Sequence, residues 1–87
     1  MLRSDMERYI QLRQSAGFKL ANESLMLRSF IAAAERHGDQ HIRTDRVLNW
    51  AGQAPSSAQR YRRLNAVRHF AQALQAEDDR HQVPPRT

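Results

Sequence analysis

The chain has 87 residues, enough for one small core and too few for two, and its 40% hydrophobic and 26% charged content excludes a disordered segment. It contains no cysteine, which excludes disulfides, thiolate metal sites and cysteine nucleophiles together. No apolar run approaches the roughly 18 residues of a membrane span, no signal-type stretch opens the chain, and a net charge of +5 favours anionic partners, so a soluble cytoplasmic protein is expected.

Three glycines and three prolines fall between periodic segments, which predicts an all-α fold of three or four helices. A first helix is expected from Ser4, where Ser4 and Glu7 have capping-box spacing, with Met6, Tyr9, Ile10 and Ala16 on its apolar stripe and Leu12 on the flank. Arg13 interrupts that stripe. Gly17 suits a left-handed helix end, after which Phe18 and Leu20 are expected to fold back onto the core. The second helix is read from an Asn22 cap through Leu27, Phe30, Ile31 and Ala34 to His37, closed by Gly38. Asp39 to Arg43 reads as a connection with Ile42 turned inward. Thr44 then caps a short helix carrying Val47, Leu48, Trp50 and Ala51, ended by Gly52 and Pro55. The last helix starts at Ser56 or Ser57 and runs to about Ala76 on the stripe Tyr61, Leu64, Val67, Ala71 and Leu74, with Phe70 beside it. Beyond it Glu77, Asp78, Asp79 and Pro84, Pro85 read as a helix end and an extended linker.

Charge is distributed unevenly along these elements. Between His41 and Gln75 stand Arg43, Arg46, Arg60, Arg62, Arg63 and Arg68, opposed by Asp45 alone, and every basic residue but Lys19 is arginine. Arginine's planar fork suits phosphate oxygens and the guanine edge. A solvated cationic face that binds nothing in particular is the competing reading of the same residues.

Several segments resemble the N-terminal core-binding, SAM-like domain of tyrosine recombinases, the phage integrase family. They are Tyr9-Ile10-Gln11-Leu12-Arg13 with Gly17-Phe18, the stretch Leu25 to Gly38, and Arg63-Leu64-Asn65-Ala66-Val67-Arg68-His69-Phe70, followed by Val83-Pro84-Pro85. The resemblance implies a compact four-helix orthogonal bundle over residues 1–80 that clamps one face of double-stranded DNA, with 81–87 as a linker toward a catalytic domain. It also implies further recombinase protomers as partners on the DNA and a bacterial or phage-encoded, DNA-associated protein. The family's arginine, lysine, His-x-x-Arg and tyrosine nucleophile belong to that other domain. No His-x-x-Arg segment followed by a tyrosine occurs here, so cleavage is not carried over and no enzyme activity is expected of this chain.

The leading DNA-binding candidates are Arg60, Arg62, Arg63 and Arg68, on a helix with no acidic residue between Ser56 and Gln75. Ser56 and Ser57 would add contacts to phosphate at the helix N-terminus. Lys19 and Arg28 are the candidates from the first half, and Arg43 stands at the start of the third helix, where Thr44 reads more simply as a cap. His37 and His41 share an i, i+4 spacing, but Gly38 and Asp39 break the helix between them, so neither a metal nor any other cofactor is expected. Tyr9, Tyr61 and Trp50 are read as core residues. A helical protein-interaction module displaying Phe18, Trp50 or Phe70 is the main alternative, and an enzyme with an unrecognised site the weakest, because the chain has no cysteine, no metal cluster and no phosphate-cradling glycine loop.

Overall fold

The computed structural model describes residues 1–85 and consists of four helices, α1 (Leu2–Ser15), α2 (Ala21–Arg36), α3 (Thr44–Gly52) and α4 (Ser57–Glu77), with no strand among the described residues. The all-α expectation holds. No helix in this set is long and apolar enough to cross a membrane. The Cα radius of gyration of 12.0 Å is that of a single close-packed body of this length, roughly 12 Å.

Helix ends show where local signals were overruled. α1 starts ahead of Ser4, with Met1 in the cap position, because Leu2 extends the buried row Leu2, Met6, Ile10 by one turn. The expected capping box does not form: the Ser4 hydroxyl donates to the Met1 carbonyl at 2.9 Å, and Glu7 pairs with Arg28. Leu12 and Ala16 remain exposed. α2 is capped at Leu20, whose side chain is buried, and Asn22 lies inside the first turn instead of capping it. Thr44 is the first residue of α3, and its amide donates to Gln82 Oε1 at 2.7 Å, so a distant side chain does the capping assigned to Thr44. Ser56 does cap α4, accepting from the Gln59 amide at 3.2 Å.

α1 and α2 end at their glycines as expected. Gly17 (φ 95°) and Gly38 (φ 72°) take the left-handed conformation that costs other residues a Cβ clash. Each sits in a Schellman motif: Gly17 N–H to Gln14 O (3.0 Å) with Phe18 N–H to Arg13 O (3.1 Å), and Gly38 N–H to Glu35 O (3.0 Å) with Asp39 N–H to Ala34 O (3.0 Å). The first of these folds Phe18 back over Arg13 and leaves it 51% exposed, contrary to the expected core position.

α2 and α4 each pack on all the other helices, whereas α1 and α3 do not pack on one another. Phe30, Phe70, Met6, Leu27, Ile31, Ile42, Val47 and Val67 are fully enclosed. Trp50 lies edge-on to Phe30 (centroids 5.5 Å apart) and donates its indole N–H to Ser29 Oγ at 3.0 Å, and Tyr9 rests against Phe70 at 5.2 Å. Besides Ala16 and Phe18, two further expected core residues are not core: Leu48 and Tyr61 face outward, Tyr61 with 56% of its surface exposed. The buried face of α4 instead takes in Ala66 and Arg68.

The segment after α4 does not leave as a free linker over its described part. His81 is 5% exposed and Pro84 is fully buried; Gln82 N–H donates to Ile42 O at 2.8 Å, and Gln75 Nε2 donates to His81 O at 3.1 Å. Residues 86 and 87 of the expected tail lie outside the described residues. His81 Nδ1 accepts the Ile42 amide at 3.1 Å, which requires that nitrogen to be unprotonated. Burial, and next the His41 ring 5.1 Å away, push the His81 pKa below its ordinary value, against the opposing pull of Asp78 and Asp5.

Two outcomes follow from this packing. Phe70→Ala empties the centre of the core and is expected to cost about 3–5 kcal/mol in a urea unfolding titration. Because the folded-state pKa of His81 lies below the unfolded value, the stability it contributes is complete above about pH 6.5 and is lost as the pH falls through the depressed value. The thermal midpoint is expected to drop between pH 7 and pH 5 in the native chain, and less steeply in His81→Asn, whose amide oxygen accepts the Ile42 bond without titrating.

Candidate nucleic-acid interface

The N-terminal turns of α2 and α4 lie side by side, and the space between them forms a cleft of about 400 Å³ lined by Asn22, Leu25 and Met26 from α2 and by Gln59, Arg62 and Arg63 from α4. An adjoining hollow of about 260 Å³ continues along α4 past Arg62 to Asn65 and His69, with Asn22 and Glu23 on its other wall. One surface thus combines arginine forks, side-chain amides and exposed apolar groups. Those are the groups that meet phosphates, base edges and thymine methyls in a duplex groove.

The candidate arginines have different neighbours. Arg62 is exposed and makes no ion pair or side-chain hydrogen bond among the described residues. Arg63 donates from Nη1 to the Trp50 carbonyl at 3.2 Å and stacks over the Trp50 ring at 5.1 Å, so it braces the end of α3 while its edge lines the cleft. Arg60 donates to the Ala54 carbonyl at 3.1 Å and faces a separate groove shared with Leu48 and Tyr61. Both retain their charge, because a carbonyl does not neutralise a guanidinium. Arg68 lies on the buried side of α4, 9% exposed, and is hydrogen-bonded to Asn65 Oδ1.

The remaining candidates are scattered. Lys19 is exposed on the link from α1 to α2, near the start of α2. Arg28 points at α1, where it pairs with Glu7 and holds that carboxyl below its ordinary pKa; Arg3 does the same to Glu35 at 2.7 Å. Arg43 pairs with Asp45 at 3.1 Å, and Arg46 with Asp39 at 2.6 Å. Ser56 spends its hydroxyl on the Gln59 amide, while Ser57 is exposed at the first position of α4. His37 bonds the Ala33 carbonyl at 2.9 Å and His41 stacks on His81, so the two do not converge.

Asn22, Leu25, Met26 and Gln59 are the cleft residues that the sequence did not single out as contacts. Gln59 stands three residues before Arg62 and therefore shares its face, a signal that was available. The α2 residues carried none, because their approach to α4 is a tertiary fact.

The chain is 41% identical over 86 residues to a protein described as "Putative integrase/recombinase y4rB" from Sinorhizobium fredii, an alignment that takes in 95% of this chain. The chain spans only about a quarter (27%) of that relative's length. No family model matches it, and neither does any solved structure. Over nearly its whole length, the likeness to the integrase/recombinase family that the residues carry is shown.

Proposed function

We propose that this chain binds duplex DNA as the N-terminal recognition part of a site-specific tyrosine recombinase or integrase and supplies none of the groups that cleave the strand. The observation that carries the reading is the α2–α4 cleft, where Arg62 and Arg63 stand beside Asn22, Gln59, Leu25 and Met26. Arg62 and Lys19 are the principal phosphate contacts. Arg63, Arg60 and Ser57 contribute from positions partly committed to the fold, and Arg28, Arg43, Arg68 and Ser56 are secondary because protein groups already hold them.

The 41% identity to part of an integrase/recombinase supports this reading, as does the helix α4, which carries arginines and no carboxylate from Ser57 to Ala76. Protomers of the same recombinase are the proposed partners on DNA. Neither a small-molecule substrate nor a cofactor enters the reading. A protein-docking module is the second reading, favoured by the outward Leu48 and Tyr61 beside one another in the α3–α4 groove; the buried Trp50 and Phe70 take no part in it.

The test is fluorescence anisotropy of a labelled duplex across a salt series. The native chain is expected to bind weakly at 50 mM salt, with log affinity falling by about 0.9 per log unit of salt for each phosphate engaged. Arg62→Gln is expected to bind several-fold more weakly with a slope shallower by about one contact, at an unchanged thermal midpoint. No binding at 50 mM salt would overturn the DNA reading in favour of protein docking.

A further inference from the structure

The end of α1 holds a cation that the fold does not use as an ion pair. Arg13 has no carboxylate partner, and its Nε is the one buried side-chain nitrogen or oxygen without a hydrogen bond among the described residues. Such an atom calls for an explanation. The guanidinium lies 4.3 Å from the Phe18 ring centroid and 5.7 Å from that of Tyr9.

The backbone produces this arrangement. In the Schellman ending of α1, Phe18 comes back over the residue five positions earlier, and an apolar contact usually closes that motif. Here the partner is Arg13, so a cation–π contact closes it instead. Tyr9, itself seated on Phe70, is the second ring. Nε is the enclosed atom of a residue that is otherwise half-buried, and Lys19, next in the chain after Phe18, is exposed.

A short link joins this end of α1 to the first turn of α2, whose Asn22 and Glu23 line the cleft and the hollow beside it. A clamped guanidinium differs from a surface arginine in one respect that matters for binding. Its side-chain freedom is already restricted in the free protein, so engaging an anion orders less.

We propose that Arg13, clamped between Phe18 and Tyr9, binds a DNA phosphate through its two Nη groups and, with Lys19, extends the interface to the end of α1. This rests on the DNA reading above. A phosphodiester matches the site because its two free oxygens accept a pair of parallel N–H bonds from a guanidinium edge.

The experiment measures duplex anisotropy over a salt series, together with thermal midpoints, for the native chain, Arg13→Gln, Arg13→Lys and Phe18→Ala. Arg13→Gln is expected to lower affinity several-fold on every duplex sequence and to make the salt slope shallower by about 0.9. Arg13→Lys should restore most of that slope. Phe18→Ala keeps the charge but frees the side chain, and is expected to keep the slope while losing several-fold in affinity. If the native chain binds and Arg13→Gln matches it in slope and affinity, Arg13 serves only to cover the two rings, and the DNA reading stands without it. If Arg13→Gln does not fold, native affinity in Phe18→Ala overturns the clamp just as well. A native chain that fails to bind at 50 mM salt overturns both readings together.

Discussion

The packing of α2 on α4 determines where the cations of this chain stand. Leu27, Phe30, Ile31 and Ala34 from one helix and Leu64, Val67, Phe70, Ala71 and Leu74 from the other form the middle of the core, and the remaining two helices pack on that pair without meeting each other. A close-packed interior admits little rotation of either helix. A one-residue turn of α4, about 100°, would move every side chain of the helix to its neighbour's place, Arg62 included. The cleft between Asn22, Met26, Gln59 and Arg62 therefore depends on the apolar residues behind it. The same packing explains Arg68: α4 touches three helices, its buried face is broad, and a residue next to Val67 is enclosed with it.

Net charge overstates how much of the chain is available to an anion. Arg3, Arg8, Arg28, Arg43, Arg46 and Arg80 all face carboxylates within 4 Å, so their fields are largely cancelled at a distance. These pairs are mostly solvent-exposed, and pairs of that kind fix orientation more than they add stability. Arg60 and Arg63 represent a different use. They donate to carbonyls at Ala54 and Trp50, at and after the end of α3, and they keep their full charge while losing reach. Among the described residues, Arg13, Lys19, Arg36 and Arg62 are left as charges that neither a carboxylate nor a carbonyl engages.

The sequence was most legible where structure is local. Gly17 and Gly38 end their helices as expected because the requirement for positive φ is met within three residues, and the α2 stripe emerged intact because four consecutive contacts share one period. It was least legible at helix starts. Ser4, Asn22 and Thr44 all have capping chemistry, yet the burial of Leu2 and Leu20 and the arrival of Gln82 at Thr44 decided those ends from outside the local window. Tyr61 and Leu48 fit an apolar period and still point outward, because a stripe identifies a face without saying how far the neighbouring helix extends over it. For the candidate cleft, Arg62 and Arg63 were identifiable from charge and spacing. Asn22, Met26 and the clamp on Arg13 required knowing which helix ends meet, and Arg13 registered in the sequence only as a break in a pattern.

The C-terminal segment adds a constraint that bears on how such a domain could be joined to others. Gln82 bonds both the Ile42 carbonyl and the Thr44 amide, His81 bonds the Ile42 amide, and Pro84 is enclosed, so the described segment is attached where α2 gives way to α3. That is the C-terminal end of α2. The cleft lies at its N-terminal end, Asn22 to Met26. Sixteen residues at about 1.5 Å each separate the two ends by roughly 24 Å along a helix that is buried on one face. Attachment and candidate recognition surface are therefore at opposite ends of one rigid element. A partner on the cleft does not compete with the docked segment, and a change at His81 reaches the cleft only by loosening the core that α2 shares with α4.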